Sequence, residues 1–242
     1  MKENDYTECY IAYMDILGFK SMISQKSFQE ILNLFQNIKN GVKEIYFANE
    51  EHRACRVESA EKVKLKVMSD TICFYIEADL PDALFCLMGC CAFFQAKLLS
   101  SFPPVLIRGG ITAGKLYVDG DKVFGPGFVE AYLLGEKCAK DPRIIIRKST
   151  LELGLQTTNQ HLLKVWPLIA LEDFDAFYWI NFNVFLGDNA EDKEIASKQL
   201  REFANQKLSE EIDESIRHKY LYLKKHIDWI LFTGVLQTKV NP

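Results

Sequence analysis

The chain has 242 residues, 48% of them hydrophobic, and a formal net charge of −4 at neutral pH. That is enough apolar material for one large core, or for a core domain with a substantial appendage, and it excludes a small cross-linked scaffold. No long basic run is present, so nucleic acid is not expected as a partner, whereas a nucleotide held through metal asks for only a few local cations.

Met1 is followed by Lys2, Glu3, Asn4 and Asp5, which is not the pattern of a signal peptide. An apolar strand from Cys9 then runs straight into Asp15, with Gly18 close behind. A carboxylate at the end of a buried strand is costly unless a cation, a hydrogen-bond network or an open cleft lies beside it. The segment Ser27 to Val42 carries Phe28, Ile31, Leu34, Phe35, Ile38 and Val42 at the spacing of one helical face. Residues Phe47 to Glu61 are polar and charged and read as a loop or a frayed helix end.

From Lys62 to Ile76 an alternating hydrophobic run is broken at Ser69-Asp70, giving two strands about a turn. If these neighbour the first strand, Asp15 and Asp70 end at the same rim and offer the oxygen ligands that Mg²⁺ or Mn²⁺ prefers. Asp79 to Asp82 reads as a helix start with Pro81 inside the first turn. The helix Ala83 to Ser100 is apolar around most of its circumference, so the sheet and either an appendage or another subunit should bury it. Interrupted by Gln95 and Lys97, it is short for a membrane span, and no direct membrane insertion is expected.

Val105 to Gly114 returns as a strand whose glycines allow close backbone approach. Asp119-Gly120 marks a hairpin between Lys115–Val118 and Lys122–Phe124, and Gly125-Pro126-Gly127 opens a helix to about Cys138. Pro142 to Arg147 supplies a further strand. The order of elements predicts an α+β fold of ferredoxin-like βαββαβ type, with helices on one face of an antiparallel sheet. Residues 1–150 form this core, and 151–242 a C-terminal extension packed on it. The extension reads as a short helix, a polar linker near Gln156–Gln160, and an aromatic strand or hairpin within Leu168–Phe182 (Phe174, Phe177, Tyr178, Trp179). A charged amphipathic helix, with room for a break, follows from Lys193 to about Trp229. The seven cysteines, mainly in apolar segments, include no CxxC pair and no zinc spacing, and read as reduced core residues of a cytoplasmic protein.

The run AYMDILGF, KVMSD ahead of a strand, IRGGITAG, and Phe124-Gly125 before a helix together resemble the class III nucleotidyl cyclase catalytic domain, over residues 7 to 148. In order and spacing they look most like the compact bacterial pyrimidine cyclases of Pycsar antiphage systems. The resemblance implies an enzyme that turns UTP, or else CTP, into the 3′,5′-cyclic monophosphate (cUMP or cCMP) with release of pyrophosphate. It implies a homodimer with interfacial sites, two Mn²⁺ or Mg²⁺ ions per site, and a separate cyclic-nucleotide effector that reads the product. By the same resemblance Asp15 and Asp70 are the catalytic, metal-binding aspartates and Ile16 adds a backbone carbonyl to the metal. Leu17, Gly18 and Phe19 would receive the triphosphate through their amides, and Lys66 would contact the base. Arg108 matches a common arginine, to which a structural role is assigned first. The apolar helix Ala83–Leu99 would partly face the second subunit.

The sequence departs from purine cyclases in one respect. The helix after Phe124-Gly125 reads Phe128-Val129-Glu130-Ala131-Tyr132-Leu133-Leu134-Gly135-Glu136, without their asparagine and transition-state arginine. Lys137, Lys140 and Arg143 are candidate replacements. A purine cyclase with a rearranged transition-state residue and a weakly active or non-enzymatic binding regulator therefore remain alternatives. Simpler readings stand beside the sharp ones: Asp15 as a helix N-cap, Asp70 as a turn residue, Lys66 as one of a charged edge with Lys62 and Lys64, and Glu130 and Glu136 as solvent-facing helix residues.

Overall fold

The computed structural model describes residues 6–33, 36, 59–101, 103–173, 175–210 and 213–233. Its centre is strand β1 (Thr7–Ile16), which pairs antiparallel with β3 (Thr71–Glu77) on one side and β4 (Ile107–Asp119) on the other. Strand β2 (Lys64–Met68) pairs with β3 through the two-residue turn Ser69-Asp70, with Ser69 at a left-handed φ of 57°. The short β5 (Lys122–Phe124) folds back on the far end of β4, so that β4 runs unbroken from the glycines into the hairpin rather than as two strands. Beyond β4 lie β6 (Ile144–Arg147), parallel to it, then β8 (Phe177–Ile180) and β7 (Ala170–Glu172). The sheet order is β2-β3-β1-β4-β6-β8-β7, with β5 attached to β4. The α+β reading holds, and the strand or hairpin expected in the extension joins the same sheet. Phe174 lies outside the described residues.

Helix α1 (Phe19–Gln25) follows β1, and residues 28–33 form a second helical piece, α2. The rest of the helix expected to Val42, apart from residue 36, and the loop over 47–58 lie outside the described residues. Helix α3 (Ala83–Leu99) begins after Pro81, not around it. Asp82 precedes it at φ 58° and turns its carboxylate to the Asn159 N–H, 2.6 Å away, so proline sits in the approach and not in the first turn.

The expectation that all helices share one face is corrected. Tyr10, Ala12, Met14 and Ile16 of β1 face α3, whereas Cys9, Ile11 and Tyr13 face Ala131 and Phe128 of α4 (Pro126–Lys137) on the opposite side. Covered on both faces, β1 must be apolar at nearly every position, which is why its sequence does not alternate. The close approach of α4 depends on glycine. A Cβ on Gly110 would lie 2.8 Å from the Leu134 side chain, and one on Gly135 would lie 3.1 Å from the Tyr13 ring.

Helix α3 is buried on almost every side, as expected of it, and the extension rather than a second subunit supplies the cover beyond the sheet, so little of the helix is left to face a partner. The sheet covers one side. Helices α5 (Lys148–Leu155) and α6 (Trp166–Ile169) cover another, with Gly154 of α5 set against Leu84. The large apolar side chains left exposed near the core include Phe124, Val129, Tyr132 and Leu133, on β5 and α4.

The expected C-terminal helix is two, α7 (Ala190–Ser209) and α8 (Glu214–Thr233). Asn189 caps α7 by accepting from the Asp192 N–H at 3.0 Å, with Glu191 and Asp192 favourably placed in the first turn. Leu200 and Ala204 of α7 and Leu223, Ile227 and Ile230 of α8 form a second core with Leu99, Leu106 and Leu17. A partly buried charge cluster also ties α8 to the sheet. Arg143 is paired with Asp173 and Asp175 and lies 5.6 Å from the Tyr222 ring centroid. Beside it His226 is enclosed by Trp179, Phe182, Tyr222 and Trp229.

Candidate active site

The pairing register brings the two aspartates of the sequence together. Asp15 stands opposite Thr71 on β3 and opposite Arg108 on β4, at the end where β1 leaves the sheet. The Ile16 N–H donates to the Asp70 carbonyl at 3.1 Å, so the turn carrying Asp70 is tied directly to the residue after Asp15. Asp15 is not a helix cap: the residue before α1 is Gly18, at φ 77°, and no side chain caps that helix. Asp70 does occupy a tight turn, and that turn is what delivers it to the rim.

Asp15 is mostly buried, its side chain 16% exposed, and burial pushes its carboxyl up to about 6. Arg108 opposes that shift, while the neighbouring charges of Asp70 and Glu136 add to it. Arg108 Nε and Nη2 each lie 3.4 Å from Asp15 Oδ2, and Nη2 also donates to Glu136 Oε1 at 2.5 Å. The sequence reading of Glu136 as a solvent-facing residue is therefore corrected. Nothing in the primary structure could reveal the contact, because it joins the start of β4 to the last turn of α4. Glu130 keeps the surface role expected of it and pairs with Arg147.

At the rim one guanidinium, that of Arg108, faces two carboxylates, Asp15 and Glu136, and Asp70 lies near enough for its charge to act on Asp15. Hard oxygen donors with an excess of negative charge and incomplete solvation suit a divalent cation such as Mg²⁺ or Mn²⁺. Among the described residues no three His, Cys, Asp or Glu side chains converge as a ready-made metal cage. Asp15 and Asp70 are the carboxylates of the sequence reading that lie at this rim, with the Ile16 carbonyl adjacent in the chain.

The other sequence candidates fall into place unevenly. Leu17, Gly18 and Phe19 form the turn from β1 into α1, but the Leu17 N–H is committed to the Leu106 carbonyl at 2.9 Å and its side chain is buried against the C-terminal helices. That amide is not available to a triphosphate in this conformation. Phe19 packs in the main core, as does Tyr10, while Tyr13 lies under α4, edge-on to Tyr132 at 5.3 Å. Lys66 lies on edge strand β2 opposite Cys73, and Cys73 is opposite Tyr13, so Lys66 shares the face occupied by α4. Its ammonium donates to the Gly120 carbonyl at the β4–β5 turn. Lys62 belongs to a 3₁₀ turn ahead of the strand and not to a lysine row. Of the cations considered as replacements for the missing arginine, Arg143 is consumed by Asp173 and Asp175. The cation that touches Asp15 is Arg108.

No protein-family model matches the chain, and no curated protein matches it in sequence. Comparison with solved structures does find similar folds. The catalytic core of a rhodopsin-guanylyl cyclase with converted specificity, solved in complex with ATPαS, superposes with a TM-score of 0.51 at 16% identity, covering 74% of this chain and 98% of that one. The adenylyl cyclase CyaB from P. aeruginosa gives 0.48 at 12% identity, covering 72% and 94%. The monomeric guanylyl cyclase domain of RhoGC from Blastocladiella emersonii gives 0.47 at 14%, covering 72% and 95%. The first of these likenesses carries the fold: an open α+β sheet with helices packed on it, in the arrangement of a class III cyclase catalytic core.

Proposed function

We propose that the protein is a metal-dependent nucleotide cyclase acting on a pyrimidine nucleoside triphosphate, UTP before CTP, and that it works as a homodimer. The observation that carries the reading is the meeting of Asp15 and Asp70 at one charged, partly dehydrated rim of a cyclase-type sheet. The choice of pyrimidine rests on the motif order and on the absence from α4 of the asparagine and arginine of purine enzymes.

In this reading the ribose 3′-oxygen attacks the α-phosphorus, the bond from that phosphorus to the bridging oxygen of the β-phosphate breaks, and pyrophosphate leaves. Divalent cations bound at the rim supply Lewis acidity toward the 3′-hydroxyl and the departing phosphates. Asp15, Asp70 and the Ile16 carbonyl fix where that charge sits, so the protein contributes chiefly position and field. Gly18 and Phe19 border the triphosphate. Leu17 serves there only if its amide leaves Leu106. Lys66, on the α4 side of the sheet, reaches the base after parting from Gly120. The exposed Val129, Tyr132 and Leu133 of α4 and Phe124 of β5 offer the second copy an apolar surface.

The test is incubation of the full chain with Mn²⁺ or Mg²⁺ and each of ATP, GTP, CTP and UTP, with the products identified by mass. One cyclic pyrimidine nucleotide, lost in Asp15→Ala and Asp70→Ala, is the expected result. A cyclic purine would move the protein to the purine alternative. No product from any of the four, with binding of a nucleotide retained, would leave a regulator that binds without turnover. If the reading holds, the product serves as the signal for a separate effector, in keeping with a defence system triggered by phage.

A further inference from the structure

We infer that Glu136 is a positioning residue for the metal site: it draws Arg108 away from Asp15, so that the Asp15 carboxylate is left open to a cation. This rests on the cyclase reading and assigns a role within the same site.

The geometry is lopsided. Arg108 reaches Glu136 at 2.5 Å but Asp15 only at 3.4 Å, beyond the usual range of a charge-assisted N–H···O bond. Both Nε and Nη2 point at the single oxygen Oδ2, so the guanidinium is aimed at Asp15 yet held short of it. Arg108 and Asp15 are opposed across the β1–β4 ladder, which fixes their backbones, so the side-chain balance decides which carboxylate is served. Glu136 comes from the last turn of α4, a separate element, and its side chain is 31% exposed.

Two consequences follow. With Glu136 charged, the positive charge of Arg108 is spent locally and repels an incoming cation less. With that charge removed, the guanidinium has one strong partner left, and closing the last few tenths of an ångström would make Asp15 the acceptor of two N–H groups. A metal would then have to displace an arginine. Glu136 thus acts on the metal through Arg108, which separates this role from that of a further ligand.

The experiment is Mn²⁺ binding to the nucleotide-free full chain, followed by electron paramagnetic resonance, in wild type, Glu136→Gln, Arg108→Gln and the double variant. Melting curves confirm folding, which the isosteric change at a partly exposed helix end should preserve. Glu136→Gln is expected to weaken Mn²⁺ binding about tenfold in the presence of Arg108 and by less than about threefold in its absence. An equal loss in both backgrounds, or no loss, would overturn the assignment. Asp15→Ala serves as the control. If wild type and Asp15→Ala bind Mn²⁺ alike, the metal reading itself fails and takes this inference with it. If Asp15→Ala alone abolishes binding, only the role of Glu136 is in question.

Discussion

His226 of α8 offers a direct test of how the C-terminal helices are held. The ring is enclosed by Trp179, Phe182, Tyr222 and Trp229, and its Nε2 lies 3.3 Å from Asn183 Nδ2. Burial pushes its pKa down from 6.5 to about 3, and the Arg143 charge pushes the same way. In the unfolded chain the ring takes up a proton near pH 6.5, while in the folded chain it stays neutral until about pH 3. The unfolded state therefore binds more protons across that window, and stability is lost as pH falls through it, at about 1.4 kcal/mol per pH unit. Between pH 7.5 and 5 the loss amounts to about 2 kcal/mol. Urea unfolding of wild type and His226→Gln at pH 7.5, 6 and 5 isolates the effect, because other titrating groups cancel in the difference. The variant should be the weaker protein at pH 7.5, and its deficit should shrink by about 2 kcal/mol at pH 5. A difference independent of pH would refute the claim that the ring is buried neutral.

Other consequences of the structure can be measured in the same way. Asp15 has the opposite sign, since a folded pKa of about 6 against an ordinary value of 3.8 means that its ionisation costs stability as pH rises through that window. With metal chelated, Asp15→Asn should raise the melting temperature at pH 7.5, on the order of 1 kcal/mol of stability, with the gain fading by pH 4. Gly110→Ala should cost about 1–3 kcal/mol in chemical denaturation, because the new methyl lies 2.9 Å from the Gly135 nitrogen and forces α4 off β4. Arg143→Leu removes the cation that Asp173 and Asp175 share; a loss of about 2–3 kcal/mol is expected, below that of a fully buried pair because the Asp175 side chain is 41% exposed. Faster proteolysis within α8 than within β1 would show that the damage falls on the C-terminal helices.

Much of the core was legible in the sequence because its signals are local. Hydrophobic period separates strands from helices, Ser69-Asp70 and Asp119-Gly120 mark turns, and Gly125-Pro126 marks a helix start, so the order β1 to β6 could be read without coordinates. A charged residue closing an apolar strand likewise singled out Asp15, and the cost of burying it appears as its raised pKa. What the sequence could not contain is which faces meet. The side of the sheet taken by α4, the enclosure of α3 by the extension, and the joining of β8 to β6 depend on contacts between residues far apart in the chain. The same holds for the charge balance at the rim. Asp15, Arg108 and Glu136 are separated by 93 and 28 residues, and only the crossing of β4 by the end of α4 makes one guanidinium serve two carboxylates. Local pattern determined the elements and nominated the carboxylates; tertiary packing decided what each carboxylate faces, because electrostatic and steric contact fall off within a few ångströms and sequence distance does not measure them.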